Sequence, residues 1–85
     1  MEISGNQLRA ARSLLGLEQI DLAAKAKVGV NTIRRMEANG SGALGGNEST
    51  RVKVIRSIES MGVEFTNGDQ PGVRLKTAKW KSKSK

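Results

Sequence analysis

Apolar side chains recur along most of this chain at spacings of three and four, then at spacings of two after Gly62. Leu8, Ala11 and Leu15 fall at i, i+3 and i+7 with Leu14 beside them and Arg9 and Ser13 opposite, the stripe of an amphipathic helix. Ser4 followed by Gln7 has the form of a capping box and predicts its start, and Gly16 supplies a left-handed stop. Between Gln19 and Ala26, Ile20, Leu22, Ala23, Ala24 and Ala26 predict a short second helix whose small residues let another helix approach closely. After Lys27, Val28 and Gly29, a third segment carries Val30, Ile33 and Met36, with Ile33 and Met36 three apart on one face and Asn31, Arg34 and Arg35 left outside. Two short helices joined by so brief a turn form a helix-turn-helix unit.

Asn39 to Asn47 is rich in glycine and reads as a flexible loop. Ser49 is the expected cap of a fourth helix running to Met61, with Val54, Ile55, Ile58 and Met61 inward and Lys53, Arg56 and Ser60 outward. Val63 and Phe65 then alternate with Glu64 and Thr66, Asn67-Gly68 signals a turn, and Val73 and Leu75 alternate again after Pro71-Gly72. The expected fold is mainly α: four short helices including the helix-turn-helix, then a small C-terminal β-hairpin over 63–75. Residues 1–75 form one domain in this reading, and 76–85 form a basic tail without apolar period, expected to be disordered.

Composition narrows the chemistry. The 85 residues include no cysteine and no histidine, so disulfides, thiolate metal sites and the usual acid, base and nucleophile near neutral pH are missing. No carboxylate pair stands at metal-ligand spacing, so neither an enzyme, a metal site nor a cofactor is expected. Gly40-Ser-Gly42-Ala-Leu-Gly45 matches G-x-G-x-x-G, but that motif carries meaning only between a strand and a helix, and here it follows a helix. The net charge of +7 is unevenly spread: residues 1–73 hold nine Lys or Arg against eight Asp or Glu, whereas 74–85 hold six basic residues and no acid. A basic tail attracts any polyanion, so charge alone names no partner. No apolar run approaches the roughly 20 residues that cross a bilayer, and the first residues do not resemble a signal peptide; a cytoplasmic protein without membrane attachment is expected.

The most informative pattern is internal to the helix-turn-helix. Counted from Gln19, Ala23 is fifth, Val28 tenth, Ile33 fifteenth and Met36 eighteenth. Helices that cross steeply need a small residue where their backbones meet and apolar anchors to hold the second. Together with Leu8-Arg-x-x-Arg12, Gly16-Leu17-x-Gln19, Asp21-Leu22-Ala23 and Met36-Glu37, this spacing resembles the XRE family, the helix-turn-helix group of phage Cro and lambda-type repressors. The resemblance covers about residues 5–61. It implies a lambda-repressor-like fold and a sequence-specific transcriptional regulator, a repressor or autoregulator, that binds double-stranded DNA as a homodimer through a recognition helix near 29–37. Val30, Asn31 and Arg35 would then read bases, with Asn31 paired to adenine, Arg35 to guanine and Val30 against a thymine methyl. Gln19, Thr32 and Arg34 would contact the DNA backbone. Arg12 and Glu37 would form a salt bridge between the first and third helices.

A reading of a different class is an antitoxin or antiactivator that keeps this fold and binds a protein partner through its hairpin or tail. Three departures bear on the choice. Glu18 stands where the family often has Ser, Thr or Asn as N-cap, and its charge opposes a nearby phosphate. Lys27 replaces the usual turn glycine, which calls for a strained residue or a different turn. The loop from Gly40 to Gly46 carries no Lys or Arg, leaving glycine N–H groups and the next helix's N-terminus for phosphate contact. Arg9, Lys53 and Arg56 read as solvated, and Trp80 has no apolar neighbours in the tail.

Overall fold

The computed structural model describes residues 2–67 and 71–76. Its elements run α1 (Gly5–Leu15), α2 (Gln19–Ala26), α3 (Val30–Ala38), α4 (Glu48–Ser60), β1 (Val63–Thr66) and β2 (Gly72–Leu75). The fold is thus mainly helical, with a two-stranded antiparallel hairpin closing it. The expected tail with Trp80 and most of the turn after Asn67 lie outside the described residues.

Helix α1 begins with a complete capping box: the Ser4 hydroxyl accepts from the Gln7 N–H, and Gln7 Oε1 accepts from the Ser4 N–H, both at 3.0 Å. Gly16 ends it at φ 69°, where only glycine is unstrained. Leu8, Ala11 and Leu15 are buried as the periodicity predicts, and they meet Leu22, Ile33, Met36, Val54, Ile58 and Phe65 in one core. Leu14 and Ile20 fall outside it, at 45% and 64% exposure. α2 is only two turns long, so one stripe of Leu22, Ala23 and Ala26 reaches the core while Ile20 and Ala24, four apart, share the outer face.

The fourth helix starts earlier than its sequence suggests. Asn47, not Ser49, is the N-cap: its Oδ1 accepts from the Thr50 N–H at 2.8 Å. Asn and Ser cap about equally well, and the left-handed turn at Gly46, φ 83°, delivers the chain to Asn47 first. The preceding loop is pinned to the start of α1. Gly42 O accepts from the Gly5 N–H and Gly40 O from the Asn6 N–H, at 3.2 and 2.8 Å, and the Leu44 N–H donates to Ile3 O at 3.0 Å. These carbonyls satisfy N–H groups that a helix start leaves free. Gly40 and Gly42, the first two glycines of the G-x-G-x-x-G string, therefore serve as acceptors for α1.

Close approach explains Gly5 in the first turn of α1. A Cβ there would collide with the Met36 carbonyl and stand 2.8 Å from that of Glu37. Gln7, 5% exposed, extends from the same turn to the hairpin, its Nε2 donating to Thr66 O at 2.8 Å and Gly72 O at 3.1 Å. One side chain thus caps its own helix and clamps both strands. Among the described residues, no helix is long and apolar enough to cross a membrane.

Candidate nucleic-acid interface

The turn between α2 and α3 consists of Lys27, Val28 and Gly29. Lys27 adopts the left-handed conformation at φ 61°, the strained alternative foreseen for a non-glycine at this position. Its N–H reaches the Ala23 and Ala24 carbonyls, and the Val28 N–H donates to Ala23 O at 3.0 Å, which closes α2. Gly29 is the N-cap of α3 in an extended conformation. Ala23, 4% exposed, sits within the core against which α3 is anchored by Ile33, Met36 and Glu37, each 2% exposed or less.

This anchoring leaves Asn31, Arg34, Arg35 and Ala38 exposed along one side of α3. Asn31 and Arg34 are joined, Arg34 Nη1 donating to Asn31 Oδ1 at 3.0 Å. Arg35 has no hydrogen bond or ion pair with any described residue. Val30 is half-buried against the core, so only part of its side chain faces outward. Thr32 turns with Arg35 into a cleft of about 390 Å³ shared with Asn39, Gly46, Asn47 and Thr50. The start of α4 and the outer face of α3 therefore border the same opening.

Glu37 is the junction of the unit. Arg12 Nε and Nη2 donate to its two oxygens at 2.7 and 3.1 Å, a fork-on-fork pair linking α1 to α3. Arg12 Nη1 also donates to Leu17 O at 2.9 Å, securing the α1–α2 connection. The hydrogen bond it donates to Glu37 pushes the Arg12 guanidinium above its usual range, against the opposing pull of burial, with the Glu37 and Glu18 charges adding to the rise. Gln19 Nε2 donates to Glu37 Oε1 at 3.0 Å. Its amide therefore points into this network, whereas the family resemblance sends it toward the DNA backbone.

Arg9 is exposed, as its sequence reading has it, and it also lies 3.8 Å from Glu37 Oε1 and donates through Nη2 to Glu37 O at 3.4 Å. Its position one turn before Arg12 on the same helix face is the sequence signal for this role. Nothing comparable marks Gln7, whose hairpin acceptors lie 59 and 65 residues away.

Other features shape the surface around α3. At the start of α2, the Glu18 N–H donates to Asp21 Oδ2 at 2.9 Å, so two exposed carboxylates flank that helix end. They complement its dipole and repel phosphate. Arg51 spends its guanidinium on Gly46 O at the α4 entrance. Every buried side-chain nitrogen and oxygen among the described residues has a partner. No group of three or more His, Cys, Asp or Glu among them is placed to hold a metal. Comparison with models of known protein families finds no match, and comparison with curated proteins finds none either.

Proposed function

We propose that this protein is a sequence-specific DNA-binding transcriptional regulator of the XRE type, reading the major groove with α3. The observation that carries the reading is the arrangement of that helix. Ile33, Met36 and Glu37 hold it across a three-residue turn from α2, while Asn31, Arg34 and Arg35 stand outward on its free side. A major groove admits one such helix, and Arg35, uncommitted within the described protein, has the planar fork that matches guanine O6 and N7. Asn31 keeps its amide N–H groups available, and release of Arg34 would complete its match to adenine. Thr32 and the N-terminus of α4, on one cleft beside Arg35, are suited to a phosphate.

Such a protein acts by occupying an operator and excluding transcription, as a repressor or autoregulator, and as a homodimer it would meet an inverted repeat. Selection from a random DNA pool tests this. The native chain is expected to enrich one motif, and Arg35→Ala to lose about 1–3 kcal/mol of discrimination at one base pair, roughly 5- to 150-fold. Absence of any enriched motif would sink the proposal.

A second reading, an antitoxin or antiactivator module, draws on the inward-turned Gln19 and the carboxylates of Glu18 and Asp21, which weaken the phosphate-facing end of α2. It expects Arg35→Ala to leave function unchanged.

A further inference from the structure

Helix α4 carries a stripe that the candidate interface does not use. Glu48, Val52, Ile55 and Glu59 follow one another at i, i+4, i+7 and i+11, which sets them on one helix face. The face reads acid, apolar, apolar, acid. Val52 and Ile55 stay half-buried there, beside a groove of about 430 Å³ that the buried Ile3 and Leu44 also line. Glu48 and Glu59 are exposed, and neither carboxylate has an ion pair with a described residue. Lys53 and Arg56 stand exposed on the neighbouring outward face, and Arg51, which also lines the groove, has its guanidinium on Gly46 O.

We infer that residues 77–85 of the same chain dock on this stripe, running back along α4 with the Trp80 ring seated against Val52 and Ile55. Charge and polarity match. Lys79-Trp80-Lys81 sets one large ring between two cations, and the stripe sets two apolar side chains between two carboxylates. A tryptophan buries about 150–250 Å² when it is covered, and the tail itself offers Trp80 no apolar neighbour larger than Ala78. Composition denies the tail a core of its own; the groove on the folded part supplies the apolar partner it lacks.

The length of chain fits the same path. The Lys76 N–H donates to Gly62 O at 2.7 Å, so the tail departs beside the residue that follows Met61, the C-cap of α4. At about 1.5 Å per residue, Ile55 lies about 10 Å back along the helix from Gly62, Val52 about 15 Å and Glu48 about 21 Å. An extended chain advances about 3.3 Å per residue, which carries Trp80 about 13 Å from Lys76 and Lys83 about 23 Å. Trp80 thus comes level with the apolar pair and Lys83 with Glu48, while Glu59 stands near the start of the path.

A tail held this way arrives at the N-terminus of α4, which also borders the cleft beside Arg35. It brings Lys83 and Lys85 to the end of a loop, Gly40 to Gly46, that has no Lys or Arg of its own. The docking concerns the free protein and stands whether or not α3 reads DNA. Delivery of those lysines to a phosphate rests on that reading.

Trp80 is the one tryptophan of a chain without tyrosine, so its fluorescence reports the docking directly. The experiment compares acrylamide quenching of the native full chain, without DNA and at low salt, with that of a peptide of residues 76–85. Protection of Trp80 by at least about threefold, weaker at about 1 M salt, is expected. It should persist over about a hundredfold dilution, as an intramolecular contact does. Val52→Lys sets a cation against the tail and should abolish the protection while circular dichroism keeps the helical signal. Glu59→Lys, exposed in the last turn of α4 where a cation suits the dipole, should at least halve it and decides the matter if Val52→Lys fails to fold. A Trp80 as quenchable as in the peptide, or protection that survives the deciding variant, overturns the inference. Protection lost on dilution overturns it too, because the groove then holds the tail of a second copy. DNA selectivity with an unprotected Trp80 would count against docking alone, and a protected Trp80 without DNA selectivity against groove reading alone.

Discussion

Glu37 receives two donors from Arg12 and one from Gln19, with Arg9 nearby, although it is only 2% exposed. Removing one partner of a buried ion pair strands a charge, at about 3–5 kcal/mol. Arg9 and Gln19 remain in Arg12→Ala, so a smaller loss of about 2–3 kcal/mol is expected, read as a drop of roughly 10–20 °C in melting temperature. Arg12 lies above its usual range when folded, so its contribution is complete below the unfolded value and is lost only as pH rises past the folded one. Melting curves between about pH 7 and 10 should show no step from Arg12. Arg34 and Arg35 are neighbours with different expected effects. Arg35→Ala should change which DNA sequence is preferred. Arg34→Ala should weaken all sequences about equally and lower the salt slope by about 1.

Two glycine-related positions give tests at the level of elements. Lys27→Gly removes a left-handed side-chain penalty of about 1–2 kcal/mol and adds unfolded-state entropy, for a net gain of about 0.5–1 kcal/mol in chemical unfolding. Gly5→Ala drives a methyl into the carbonyls at the end of α3 and should cost at least about 1–3 kcal/mol. The four helices and the hairpin were legible in the sequence because burial imposes periods of 3.6 and 2, and the α1 cap because its two residues bond locally. The start of α4 was less so, since Asn47 and Ser49 have equal chemical claims and the backbone turn at Gly46 decides between them. Within the candidate interface, the outward places of Asn31, Arg34 and Arg35 follow from the same period. The inward turn of Gln19 and the clamp made by Gln7 depend on partners far along the chain, which no local pattern encodes.

For the whole molecule, the charge distribution separates affinity from selectivity. Residues 1–73 are nearly neutral and the last twelve carry six positive charges. If the tail binds polyanions by counterion release, truncation after Leu75 should lower DNA affinity and flatten its salt dependence, leaving the preferred motif unchanged. Selectivity would then rest on α3. The most direct measurement is a binding titration of the native chain, Arg35→Ala and the truncation against DNA selected from a random pool, at two salt concentrations. Groove reading by α3 predicts one enriched motif, an inverted repeat, that Arg35→Ala relaxes and truncation preserves. No enriched motif, with binding that disappears on truncation alone, would contradict it.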